Sequence, residues 1–281
     1  EAFLAAAPRQ LIDVSTATAA TANATQAAPA SASAGSAAHE PAWATDADLM
    51  PRLYRHFPLS RLAALAEAAA PSDPSWRQRL APAVFARALV LEDWATADRL
   101  ADAMAAPRAT TRHLYQRLRT ARTPAARRLA AALILVNTPE LHPETVTAQG
   151  RSAYFGCGVR NDVGRPSPLT SSAPLFLSAA ERAAAEQETA RLVALPIRTR
   201  WLADTLLPWA AARPDDAEAP KALHFLVAST RLECPEAWEP AAASQAPAAP
   251  QVSRDAFQLL HRLWPRSEWA AKTRYWYTAP N

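Results

Sequence analysis

Glycine constrains this chain more than any other residue. Only five occur in 281 residues, against 25 prolines, and four of them (Gly150, Gly156, Gly158 and Gly164) fall between His142 and Phe176. Chains built from β-hairpins need glycine at tight turns throughout. Helices joined by short loops instead use proline at their starts. The scarcity therefore predicts an all-α fold. The clustering predicts one long, shaped connection, reading HPETVTAQGRSAYFGCGVRNDVGRPSPLTSSAPLF, between two helical halves. In a compact chain, such a stretch is functional or disordered.

The apolar pattern on either side supports helices. Leu49, Leu53 and Phe57 recur at four-residue spacing until Pro58. A second helix is expected from Ser60 to Ala69, and a third from near Ser75, carrying Trp76, Leu80, Val84 and Ala88 through Leu91. Trp94, Ala97, Leu100, Ala101 and Met104 line one side of Asp93–Ala105, and Leu114, Tyr115 and Leu118 one side of Thr110–Leu118. Thr123-Pro124 opens the most apolar helix, PAARRLAAALILVN, with threonine as N-cap and proline at the first helical position.

Beyond the glycine-rich stretch, Ser178-Ala-Ala-Glu181 is a capping box opening a helix to about Leu195. Further helices are expected over 198–211, with Trp201 and Trp209 on its apolar face, and through PDDAEAPKALHFLVASTRLEC. The Ala/Pro-rich 241–250 reads as a linker, with Ser253 capping the next helix. The implied organisation is a flexible Ala/Ser/Thr-rich tether over 1–48, a helical half over 49–142, the connecting loop over 143–177 and a second helical half over 178–281. Helices following one another across short connections suggest stacked hairpins, an α-solenoid, with an irregular bundle as the alternative.

Charge narrows function less. The net charge is +4, and lysine occurs only at Lys221 and Lys272, so the basic residues are almost all arginine. Dispersed arginine on alanine-rich helices reads as solvated helix faces, and no basic cluster carries interleaved aromatics for nucleic acid. No segment reaches the roughly 18 apolar residues a membrane helix needs. The chain opens on Glu1 rather than methionine, as expected when something upstream has been removed, and the low-charge stretch Ser15–Ala38 resembles the tether that follows a signal peptide or lipid anchor.

Catalytic patterns are missing from the reading. There is no GxSxG, P-loop or dinucleotide fingerprint, and Phe155-Gly156-Cys157-Gly158-Val159 has no strand before it or helix start after it. The histidines (His39, His56, His113, His142, His224, His261) are scattered without zinc spacing, although His224 and His261 can approach across the final hairpins. Asp/Glu pairs such as Glu92–Asp93 and Asp215–Asp216 sit at helix junctions, where capping explains them. No cofactor, metal or small-molecule substrate is expected. Cys157 and Cys234 lie in loop-like sequence in different halves, either as a disulfide in an exported protein or as two unrelated thiols.

The C-terminal run Phe257-Gln-Leu-Leu260-His-Arg-Leu-Trp264-Pro265-Arg-Ser267-Glu-Trp269-Ala270-Ala-Lys-Thr-Arg-Tyr275-Trp276 resembles a tetratricopeptide-repeat helix running into the next. It is similar to the form found in periplasmic envelope-assembly proteins, such as the Tol-Pal coordinating protein and the outer-membrane assembly lipoprotein. The resemblance implies that Pro265 ends one helix, Ser267 caps the next, and Tyr275 and Trp276 pack back on the preceding hairpin. It is confined to residues 257–276 and departs from the pattern at Thr273, where a small alanine is usual, and in the long segment between Leu232 and Ser253.

These readings converge on a non-catalytic scaffold or adaptor, periplasmic or outer-envelope-associated, that binds another protein, with a membrane-anchored complex as one setting. Trp238, Trp264, Trp269 and Trp276 crowd the C-terminal end, either as core or as an interaction surface, with Tyr154, Arg160 and Arg165 of the loop as its polar part. A glycan-binding accessory module of a cell-wall enzyme is the alternative, and nucleic-acid binding a weaker one.

Overall fold

A computed structural model describes residues 49–68, 74–143, 145–146, 152–153, 176–233 and 249–278. The tether expected over 1–48, both cysteines, and Tyr154, Arg160, Arg165 and Trp238 lie outside the described residues.

The described chain is helical. In order it forms α1 (Leu49–His56), α2 (Leu59–Ala68), α3 (Pro74–Leu91), α4 (Trp94–Ala105), a 3-10 turn at Ala109–Thr111, α5 (Arg112–Thr120) and α6 (Pro124–Asn137). Then come α7 (Ala179–Val193), α8 (Arg198–Ala212), α9 (Glu218–Ser229) with a 3-10 extension at Thr230–Leu232, α10 (Ala249–Leu263) and α11 (Glu268–Lys272).

Local chemistry sets many of the starts. Asp93 accepts the Thr96 N–H at 3.1 Å, Thr123 accepts Ala126 N–H at 3.2 Å, and Ser267 accepts Ala270 N–H at 3.1 Å. The Ser178 hydroxyl accepts Glu181 N–H while the Glu181 carboxylate accepts Ser178 N–H, completing the capping box. Each such cap is worth about 1 kcal/mol.

Three local expectations are corrected. Ser253 is not a cap: α10 begins at Ala249, with Pro250 tolerated in its first turn, and Ser253 is buried within the helix. The last helix stops at Lys272 instead of running to Trp276. The helices expected from near Ser75 through Leu91 and over 198–211 do form, with Pro82 and Pro208 inside them. Finally, the glycine-rich connection contains a two-residue antiparallel ribbon, Thr145–Val146 (β1) pairing with Ser152–Ala153 (β2), rather than loop alone.

Successive helices pack as neighbours from α2 to α6, while α6 also packs on α8 and α9, and α10 on α8 and α9. The chain returns through the ribbon, which touches α1, and α7 packs on α1 and α3. One apolar cluster runs through these helices from Leu53 to Ala270, so the helices on both sides of the glycine-rich segment share a core.

Two buried arginines lock this arrangement. Arg87 on α3 donates to Tyr54 O at 3.1 Å and lies 3.3 Å from the carboxylate of Glu188 on α7. Glu188 also accepts the first N–H of α2, from Leu59, at 2.7 Å, acting as an N-cap across 129 residues of sequence. Arg198, at the start of α8, donates to the carbonyls of Leu135 (2.6 Å) and Pro139 (2.8 Å), placing a cation at the C-terminal end of α6. Glu233 in turn accepts the Thr199 N–H of α8 at 2.8 Å.

Candidate functional site

The C-terminal aromatic residues gather around the end of α10. Val252, Ala256, Leu259 and Leu260 turn into the core. The adjacent stripe of Ser253, Phe257 and His261, at i, i+4 and i+8, is covered by residues 273–278, which are not helical. His261 Nε2–H donates to Thr273 O (2.8 Å), Phe257 meets the Trp276 ring at a 57° tilt (5.1 Å between centroids), and Ser253 Oγ accepts Tyr277 N–H (3.0 Å). The tail thus runs antiparallel to the helix. The lengths agree: eight residues of helix rise about 12 Å, and four residues of extended chain reach about 13 Å.

Thr273 is the pivot. Its hydroxyl donates to Trp269 O at 2.8 Å, so the His224 nitrogen 2.7 Å from that hydroxyl must be a donor, which sets the Nδ1–H tautomer. Burial, reinforced by Lys272, holds His224 below the usual imidazole pKa, consistent with a neutral ring. The Thr273 hydroxyl therefore ties α9 to the end of α11, a link alanine could not make, while the Thr273 backbone carbonyl ties α10 to the tail. The departure from the repeat pattern coincides with the end of the helix, and His224 and His261 meet through Thr273.

The sequence-predicted tryptophans divide. Trp269 is half-buried among His224, Phe225 and the Lys272 ammonium, the last 4.3 Å from its ring centre. Trp264 packs on the core and donates from Nε1 to Pro214 O at 2.8 Å, pinning the α8–α9 connection. Both brace the fold. Trp276 keeps 39% of its surface exposed, and Tyr275, stacked edge-on against Tyr277, keeps 61%. Tyr275 therefore does not pack back into the preceding hairpin, whereas Trp276 is partly exposed and meets Phe257.

Arg231 and Leu232 add to this edge. The Arg231 guanidinium lies 5.0 Å from the Tyr277 ring centre, and Leu232 is 72% exposed. Sequence reading passed over both, since no sequence signal places either residue beside Tyr277, which lies far along the chain. The edge offers flat, amphipathic rings with an arginine beside them, a composition suited to burial against another protein surface.

Among the described residues no group of three or more His, Cys, Asp or Glu is placed to hold a metal ion, and no helix is long and apolar enough to cross a membrane. Compared with known proteins, the chain matches no family model, no curated protein and no solved structure.

Proposed function

We propose that this chain is a non-catalytic helical-repeat adaptor, its hairpins stacked in the manner of tetratricopeptide repeats, that binds another protein in the bacterial cell envelope. The observation that carries the reading is the exposed Tyr275–Trp276 edge, held in place by Thr273, His261 and Ser253. Large rings left in water cost solvation that burial in a partner recovers. Each fully buried aromatic side chain contributes about 2–3 kcal/mol of transfer free energy. The anchoring lowers the entropy lost on binding, because the rings are presented on a tethered segment rather than a free terminus. A Cys157–Cys234 disulfide belongs to the same reading and would tie the glycine-rich segment to the C-terminal hairpins.

The test compares quantitative affinity capture from native cells by the wild-type chain and by Y275A/W276A. A specific partner retained by the wild type and lost by the variant, while a distant surface variant such as E186A keeps it, supports the reading. Equal capture by all three removes the edge from the interface.

A further inference from the structure

Between Arg108 and Arg128 the sequence carries seven arginines and no aspartate or glutamate. In sequence they look dispersed, but packing of α4, α5 and α6 gathers them. Five meet carboxylates of other segments: Arg108 with Glu140 at 3.3 Å, Arg117 with Asp216 at 3.8 Å, Arg119 with Asp102 at 2.6 Å, Arg127 with Asp98 at 3.0 Å and Arg128 with Glu92 at 3.5 Å. Arg112 and Arg122 are exposed and have no ion-pair partner among the described residues. They flank a trough made of two adjoining clefts of about 700 and 310 Å³, with Arg119 as their common wall. Trp94 lines the larger cleft, with the Arg127 guanidinium 6.0 Å from its ring centre.

We infer that this trough binds an acidic segment of a partner protein, one carrying several Asp or Glu side chains and an apolar residue to lie against Trp94. The guanidinium matches carboxylate geometry with two parallel N–H donors, and this surface already closes on carboxylates wherever its own chain supplies one. Among the described residues, Arg112 and Arg122 are the positions where no such group is supplied. A single half-buried ring does not form the succession of stacking platforms that a nucleic-acid strand uses, so charge complementarity to peptide carboxylates is the better fit. The trough involves none of the residues of the C-terminal edge.

The probe is a fluorescein-labelled peptide of alternating aspartate and glutamate with one central leucine, titrated by anisotropy at low and at physiological salt. Wild-type protein should bind it, more weakly as salt rises, and should not bind the Asn/Gln version. R112E/R122E should lose at least about tenfold in affinity, and R112Q/R122Q somewhat less. Among the described residues neither Arg112 nor Arg122 makes an ion pair whose loss would unfold the chain, and far-ultraviolet dichroism checks this. Y275A/W276A should bind the peptide as the wild type does, so this inference can fail without touching the aromatic edge. The inference is overturned if the wild type does not bind, if both arginine variants keep full affinity, or if an oligodeoxythymidine displaces the peptide at equal concentration.

Discussion

Removing the Glu188 carboxylate should be among the most damaging single changes in the described core. Glu188 serves two partners: the Leu59 N–H at 2.7 Å and the guanidinium of Arg87, itself only 1% exposed. In E188A, Arg87 is left as a buried cation donating to Tyr54 O without its carboxylate partner, and α2 loses its N-terminal cap. Breaking a buried pair costs about 3–5 kcal/mol, and the lower end applies because a fifth of the Glu188 side chain stays solvent-exposed. The lost cap adds about 1 kcal/mol.

Urea unfolding followed by circular dichroism should therefore show E188A destabilised by about 4 kcal/mol with an unchanged denaturant slope. The double variant R87M/E188L should recover most of that loss. Burial pushes the Glu188 pKa up and the Arg87 pKa down despite their mutual attraction, so desolvation outweighs the pairing. E188A losing less than about 1 kcal/mol, or a double variant worse than E188A, would refute this account of how α7 is held to α1–α3.

Three further outcomes follow from particular residues. Burial, with Arg198 Nη1 3.4 Å from its Nδ1, pulls His142 from 6.5 down to about 4, while Glu140 opposes the shift. The unfolded chain therefore takes up this proton first, and stability falls as pH drops from 6.5 to about 4, by at most about 3 kcal/mol. Urea midpoints at both ends of that window should differ less in H142Q than in the wild type, and equal differences would contradict the assignment. Glu92, at φ 61°, holds the left-handed position closing α3, so E92G should be at least as stable as wild type and E92V less stable by about 1 kcal/mol or more. A thermal melt that ranks E92G below E92V would overturn that. Intact mass after alkylation, with and without reductant, should find Cys157 and Cys234 bonded in protein from native cells. Two free thiols would remove the support for export.

Helix starts with their own caps were legible in the sequence: Thr123-Pro124, Ser178 with Glu181, and Ser267 each carry a complete local signal. Ser253 misled because a serine after an Ala/Pro run has the composition of a cap, whereas Pro250 in the first turn lets the helix begin earlier. The caps supplied by Glu188 and Glu233 come from 129 and 34 residues away, so no window of sequence contains both partners. Arg87 sits in an apolar run, and its buried role depends on α7 arriving beside it. The arginine trough was invisible for a related reason. Its charges are spaced along the chain, and only packing shows which of them already have a carboxylate. At the C terminus the tryptophans were found, but their division into braces and exposed edge depends on where the helix stops at Thr273.

Site-specific photocrosslinking in the native cell tests the central claim most directly. A photoreactive phenylalanine in place of Tyr275 should give one discrete adduct with another protein, and the same group at Glu186 should not give it. Adducts from both positions alike, or none from position 275, would contradict an adaptor that works through its C-terminal aromatic edge.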